Sequence, residues 1–262
     1  MSLRLLTWNL NGLDDHRVDE RTEAAVFMAV TGLTLTQLAR GGMTRAAPDV
    51  LMFQEVTRHT YTAHLRSHLP RAGYTLYPAR PPESETFEVI GVRQPATLGR
   101  ARSVPLDRSL YGRNLHIVET VGSAGSPDGI RLLTAHFDGG TEESEVRIAE
   151  SRQAIAEMHE HSVFAGDTNL RNTEWEAVAE WPAVTDAWEE LGRPADVRDT
   201  WQMPGRRARF DRVWLGGAMK VVSMEAVGQV SGGRVPPSDH IGLLVEIEIE
   251  IRNALDHCGT AT

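Results

Sequence analysis

The sequence predicts an α/β fold in one domain, with two β-sheets packed face to face and helices outside them. Three observations predict it. Ten short segments rich in Val, Ile and Leu recur along the chain, bounded by Gly, Pro, Asn or Asp. Helical patterns are interspersed among them instead of forming a separate block. No internal repeat, low-complexity tract or Ser/Gly linker divides the chain.

In chain order, a strand over Leu3–Asn9 precedes a helical pattern over Arg17–Arg40, which Gly32 and two Thr-Leu pairs predict to be broken. A strand over Val50–Glu55 leads into a helix over Thr57–Leu69. Strands then fall at Tyr74–Pro78, Phe87–Arg93, Leu115–Val121 and Ile130–His136. A helix over Glu142–His159, a strand over Ser162–Asp167 and a helix over Thr173–Trp181 follow. Strands over Arg212–Leu215, Lys220–Val227 and Ile241–Ile251 complete the set. The last ends VEIEIEI, a strict alternation with one dry and one wet face. Residues 1–252 are read as one catalytic-sized domain and 253–262 as a polar, frayed tail.

Composition narrows the function classes. The 262 residues are 41% hydrophobic and 24% charged, as in ordinary globular proteins. No apolar stretch reaches membrane-spanning length, and the first ten residues lack a signal-peptide pattern, so a cytoplasmic protein without a membrane partner is expected. Cys258 is the only cysteine, which excludes an internal disulfide and a multi-thiolate zinc site. The net charge of −9 argues against coating long nucleic acid, though not against local binding of one end. Lys220 is the only lysine among 27 basic residues, a chain-wide arginine bias that marks no single site.

The strand ends carry the chemistry. The stretch GDTNLR, by itself, is an ordinary turn after a buried strand. Yet other strands end or begin in the same way, supplying Asn9, Glu55, His136, Asp167, Asn169, Asp211, Asp239 and His240. Six such endings indicate one assembled site. If the chain stays extended there, Asp167 and Asn169 face the same side. Oxygen donors without thiolates favour Mg²⁺, Mn²⁺ or Ca²⁺ over zinc. A hard metal, a general base and cationic groups together suit attack of water on a phosphate.

In order, TWNLNG, FQEV, TAHFD, GDTN, RFDR and PSDH resemble the motifs of the endonuclease/exonuclease/phosphatase superfamily. Its 5′-tyrosyl-DNA phosphodiesterase branch is the most similar, through TWNLNGLD, FAGDTNLRN, DAWEELGRP, DTW and PPSDHIGLL. The resemblance covers residues 3–250 and implies a DNase-I-like four-layer α/β sandwich. It implies Mg²⁺ as cofactor, with Mn²⁺ a possible substitute, held by Glu55 and by Asp239 directly or through water. Asp167 is implied as general base, with Asn9 and Asn169 positioning water and phosphate. His240 is implied to stabilise charge on the scissile phosphate, oriented by Asp211. His136 is either a second phosphate contact or a satisfied core histidine.

Arg171, Arg113, Trp201, Phe87 and Phe210 lie near positions that line the family's DNA groove, although the aromatic residues also fit the core. Three departures stand out: Asn11 replaces an aspartate, His136-Phe137-Asp138-Gly139 replaces an HLES-type segment, and the region before Asp49 is longer. Asp138 is a candidate to compensate for the charge lost at Asn11. The expected function is a Mg²⁺-dependent phosphodiesterase that acts on a 5′-phosphotyrosyl-type linkage in DNA repair. Its expected partner is a DNA 5′ end or a DNA–protein adduct, with no obligate protein partner. The alternatives are a general DNA/RNA nuclease, a small-molecule phosphatase on the same scaffold, or a non-catalytic binding module.

Overall fold

Side-chain alternation along the first strand sets the architecture. Successive residues of a strand point to opposite faces. In β1 (Ser2–Asn9), Leu3 and Leu5 therefore join one apolar cluster, whereas Leu6 and Trp8 join another on the far side. A computed structural model describes residues 1–31, 46–121, 129–178, 184–229 and 235–250 of the chain. The later part of the helix expected over Arg17–Arg40, the end of that over Thr173–Trp181, and the tail with Cys258 lie outside the described residues.

β1 pairs in parallel with β2 (Val50–Thr57) and antiparallel with β14 (Gly242–Ile249). β3 (Tyr74–Tyr77), β4 (Thr86–Arg93) and β13 (Met219–Val227) complete a six-stranded sheet ordered β13-β14-β1-β2-β4-β3. A second six-stranded sheet contains β5 (Thr97–Pro105), β6 (Asn114–Val121), β7 (Arg131–Thr134), β8 (Ser162–Asp167), β9 (Val184–Asp186) and β12 (Asp211–Gly216). Their spatial order is β5-β6-β7-β8-β12-β9. A separate hairpin joins β10 (Trp201–Met203) to β11 (Arg206–Ala208).

The sheets pack through Leu5, Met52, Val118, Leu132, Val163, Val213 and Val245, each 1% exposed or less. Burying each such side chain contributes about 1.5–3 kcal/mol. On the outer face of the first sheet lie α1 (Val18–Thr31), α2 (Arg58–Thr60), a π-helical turn over Tyr61–Leu65 and α3 (Arg66–His68). The second sheet is covered by α4 (Ser144–Ala156) and α5 (Asn172–Val178), around stacked Phe164, Trp214 and Trp175. The result is the four-layer helix–sheet–sheet–helix sandwich of the DNase-I-like fold. A short helix, α6 (Ala187–Glu190), is capped by Asp186, which also pairs with the buried Arg209 and Arg212.

The sequence reading missed β5, β9, β10 and β11. β5 is an edge strand whose sequence TLGRARSVP is mostly solvent-facing, so it lacks the apolar signal of a buried strand. The other three are only three residues long each.

Candidate active site

The inner-face register of four strands delivers the polar cluster. Leu3, Leu5, Thr7 and Asn9 alternate on one face of β1, and Val163, Ala165 and Asp167 do so on β8. The same period links Leu132, Thr134 and His136, and Leu215, Val213 and Asp211. Toward this end the apolar filling gives way to a buried network in which Gln54 Nε2 donates to Thr7 Oγ1 at 3.1 Å and Thr134 Oγ1 at 3.0 Å. Those bonds link the sheets beneath the site.

Glu55 needs a different device, because strict alternation from Met52 and Gln54 would point it outward. The β2–β4 register shifts between Phe53 and Val56, and Glu55 has φ 51°, in the left-handed region. This bulge re-aims the carboxylate into the cleft. Gly12 accommodates it, since a Cβ there would sit 2.2 Å from the Glu55 carbonyl oxygen. Gly166 of GDTN is similarly confined, with the Ala135 carbonyl oxygen 2.3 Å from any added Cβ.

Asp167 and Asn169 do not share an extended face. β8 ends at Asp167, Asn169 has φ 50°, and its backbone N–H donates to Asp167 Oδ1 at 3.0 Å. The stretch is both a side-chain-capped turn and part of the site. Thr168 Oγ1 donates to the Phe210 carbonyl at 2.7 Å, tying this turn to the approach to β12. Asn169 Nδ2 donates to the Phe137 carbonyl at 3.1 Å and lies 3.2 Å from His136 Nε2.

Asn9 Nδ2 bridges the two key carboxylates, donating to Asp167 Oδ2 at 2.9 Å and to Glu55 Oε1 at 3.1 Å. Its Oδ1 accepts the Asn11 N–H at 2.9 Å. With both ends of the amide engaged, Asn9 orients the two carboxylates. Ser238 of PSDH donates to the Asn9 carbonyl at 2.7 Å and accepts the His240 N–H at 3.0 Å. Thr200 of DTW accepts the N–H groups of Phe210 and Asp211 through Oγ1, each at 3.0 Å.

The two histidines have opposite electrostatics. His240 Nδ1 lies 2.8 Å from Asp211 Oδ2, and its Nε2 lies 3.6 Å from Asp167 Oδ2. Burial opposes charge on this ring, but the carboxylates of Asp211 and Asp167, with the Asp211 hydrogen bond, prevail and push its pKa up to about 10. His240 is therefore an imidazolium. For His136, burial outweighs the attraction of Asp167 and pushes the pKa down to about 4, leaving the ring neutral. Its Nε2 lies 3.4 Å from Asp167 Oδ2, and its buried Nδ1 has no hydrogen-bond partner among the described residues, with Glu55 Oε1 3.8 Å away. It is a member of the site and not an isolated core histidine.

Donor groups from Glu55, His136 and Asp167 lie within 4.8 Å of one another. Burial raises the Glu55 carboxyl above its usual range despite the Asn9 hydrogen bond, and nearby Asp167 and Asp239 add to the rise. Crowded carboxylates whose own charges oppose ionisation fit a divalent cation. Glu55 is the ligand this arrangement offers first. Asp239 lines the same cleft but lies outside that trio, and its Oδ2 accepts the Trp201 indole N–H at 2.9 Å.

The cleft encloses about 770 Å³, and its outer walls include Tyr111, Arg113, Arg171, Trp201 and Phe210. Arg171 lies over Phe210, with its guanidinium carbon 5.1 Å from the ring centre, and donates to the Gly140 carbonyl at 2.8 Å. Trp201 and Phe210 pack at 5.3 Å between ring centres. Phe87 is not a wall residue. It is 2% exposed and packs against Tyr61 under the first sheet, so the expected substrate contact is corrected to a core role.

Asp138 does not replace the charge missing at Asn11. It is fully buried, and its carboxylate accepts Ser109 Oγ at 2.7 Å and the Leu110 N–H at 2.5 Å. It anchors the loop that presents Tyr111 and Arg113. The sequence reading missed Tyr111, Arg206 and Arg207 as cleft residues. A basic pair just ahead of RFDR was the available signal for the arginines, but the chain-wide arginine excess masked it.

The chain matches the Endonuclease/Exonuclease/phosphatase family over residues 6–240. It is similar to Tyrosyl-DNA phosphodiesterase 2 of Gallus gallus, with 29% identity over 274 residues covering 95% of this chain and 67% of that protein. The protein of the same name from Mus musculus is 29% identical over 272 residues, covering 95% and 66% of the two chains. The chain thus spans about two thirds of the length of these relatives. The crystal structure of D. rerio TDP2 complexed with single strand DNA product has a TM-score of 0.76 at 25% identity, covering 94% of this chain and 99% of that one.

Proposed function

The chain belongs to the endonuclease/exonuclease/phosphatase family, and we propose that this phosphodiesterase hydrolyses a 5′-phosphotyrosyl-type linkage on DNA with Mg²⁺ as cofactor. The observation that carries the reading is the convergence of Asn9, Glu55, His136, Asp167, Asn169, Asp211 and His240 at one end of the sandwich. Similarity to tyrosyl-DNA phosphodiesterase 2 proteins, and to a structure of one with single strand DNA product, supports the substrate class.

In this reading Asp167 accepts a proton from the attacking water. Asn9 holds that carboxylate beside Glu55, and the Asn169 N–H fixes its second oxygen. His240, kept charged by Asp211, stabilises negative charge that builds on the phosphoryl oxygens in the transition state. Glu55, with Asp167 and Asp239 nearby, would hold Mg²⁺, which when bound polarises the phosphoryl group and offsets its charge. Tyrosine leaves as a phenolate, whose conjugate acid has a pKa near 10, so departure demands less proton donation than an alkoxide. The products are a 5′-phosphorylated strand and free tyrosine, consistent with a step in DNA-end repair.

The outer cleft suits an unpaired 5′ end. Arg113, Arg171, Arg206 and Arg207 offer charge to successive phosphates, while Trp201 and Phe210 offer ring faces to bases. A side-by-side assay tests the reading. 5′-phosphotyrosyl oligonucleotide, 3′-phosphotyrosyl oligonucleotide, abasic duplex and supercoiled plasmid are each incubated with Mg²⁺ and with EDTA. Preferential Mg²⁺-dependent release of tyrosine from the 5′ substrate is expected. Rapid plasmid nicking with the 5′-phosphotyrosyl substrate intact would favour a general nuclease instead.

A further inference from the structure

A second cluster of metal-binding side chains lies outside the cleft. Asp19 sits in the first turn of α1, while His59 is in α2 and His64 in the adjoining π-helical turn. Nε2 of each histidine lies 2.7 Å from the same atom, Asp19 Oδ1. The rings meet edge to face at 84°, with centroids 6.3 Å apart.

The local backbone explains the convergence. Residues five apart on a regular α-helix are separated by about 140° around its axis, so His59 and His64 would point in different directions. A π-turn closes over five residues, as the Arg66 N–H bonded to the Tyr61 carbonyl shows. The widened turn brings position 64 back onto the side of position 59. π-Helical segments make up well under 1% of residues and concentrate at functional sites.

We propose that Asp19, His59 and His64 form a binding site for a borderline divalent transition ion, with Zn²⁺ as the type case. Two imidazole nitrogens and one carboxylate oxygen favour such an ion over Mg²⁺. With bonds of about 2.1 Å in tetrahedral geometry, the donors stand about 3.3–3.4 Å apart. The 2.7 Å contacts therefore open by about 0.6 Å, which small side-chain rotations supply. The Asp19 and His59 side chains are 63% and 59% exposed, whereas His64 is only 12% exposed and forms the fixed wall. A remaining coordination position faces solvent and takes water. The ion ties α1 to the segment that follows β2, cross-linking two elements on the outer face of the first sheet.

Calorimetric titration of Zn²⁺ into the protein in excess Mg²⁺, which occupies the hard-ion site, tests the assignment. One bound equivalent is expected. Since loss of an outer-shell partner already weakens metal sites by about 10–100-fold, His59→Ala and Asp19→Ala should each weaken binding at least about tenfold. Glu55→Gln should leave this equivalent in place. The same titration with Co²⁺ should give visible d–d bands that His59→Ala removes. Unchanged stoichiometry and affinity in His59→Ala, with Mg²⁺-supported turnover retained as proof of folding, would reduce the cluster to an ordinary carboxylate–histidine contact. Loss of the equivalent on Glu55→Gln alone would place the ion in the cleft and overturn the proposal.

Discussion

Replacing Asp211 with Asn tests the electrostatic core of the site. The amide oxygen can still accept from His240 Nδ1, so ring orientation is preserved while the negative charge is lost. In the native site, burial opposes protonation of His240, and Asp211 is the largest influence in its favour, holding the pKa at about 10. Without it the pKa is expected to fall toward the ordinary 6.5, with Asp167 and Asp239 still opposing burial. At 1.36 kcal/mol per unit, a full return to 6.5 corresponds to about 5 kcal/mol less stabilisation of the imidazolium. With a pKa of 6.5, roughly three quarters of His240 stays charged at pH 6 but only about 3% at pH 8. The variant-to-native ratio of kcat/KM should thus fall less than about twofold at pH 6 and about 30-fold at pH 8. p-Nitrophenyl thymidine phosphate at fixed Mg²⁺ is a suitable substrate, and the ratio cancels titrations common to both proteins. The sign for stability follows from the same shift. His240 has a folded pKa above its unfolded value, so its contribution is complete below about pH 6.5 and is lost as pH rises toward 10. A deficit of equal size at pH 6 and pH 8 would refute the charge argument and leave Asp211 a purely geometric role.

Glu55→Gln should raise the Mg²⁺ concentration needed for half-maximal rate, with partial recovery at high Mg²⁺ or Mn²⁺, because an amide is the poorer ligand. Full activity at low micromolar metal would remove Glu55 as principal ligand. Glu150 is buried, and although its Oε2 accepts the Asp138 N–H, burial pushes its carboxyl pKa up to about 8 from 4.5. The native protein should therefore lose stability between about pH 4.5 and pH 8, by up to about 5 kcal/mol, and Glu150→Gln should flatten that loss in denaturant titrations. Parallel pH profiles for both proteins would refute this assignment. Arg206→Ala combined with Arg207→Ala should raise KM for a single-stranded oligonucleotide and lower the log K against log salt slope by about 1.4, at about 0.7 per phosphate contact. Turnover of the p-nitrophenyl substrate should be unchanged, and an equal defect on both substrates would place these arginines in the chemistry.

The parts of the site legible in the sequence were those fixed by strand periodicity. Asn9, His136, Asp167 and Asp211 continue the inner-face alternation of residues such as Leu5, Leu132, Ala165 and Val213, so recognising the strands was nearly enough to group them. Glu55 and Asn169 break that alternation by taking positive φ, and only their motifs marked them. Phe87 was misread because an aromatic next to a polar strand end has the same sequence appearance whether it faces a groove or the helices beneath the sheet. The role of Asp138 was not legible for a related reason: the pattern gives a carboxylate near the site but not its direction, and Ser109 and Leu110 claim it. The outer wall was least legible. Tyr111, Arg206 and Arg207 stand on a loop and a short hairpin, positioned by contacts distant in sequence instead of by local periodicity.

The central claim is attack of water on a 5′ phosphotyrosyl phosphorus by the Asp167-centred site. Its most direct measurement is a single-turnover reaction of a single-stranded 5′-phosphotyrosyl oligonucleotide in ¹⁸O-labelled water, with products resolved by mass spectrometry. One labelled oxygen is expected in the 5′ phosphate and none in the released tyrosine. EDTA should abolish the reaction, and Asp167→Asn should slow it by about 10²-fold or more, the range for loss of a positioned general base. Label in the tyrosine phenol, or a native-like rate from Asp167→Asn, would contradict the mechanism.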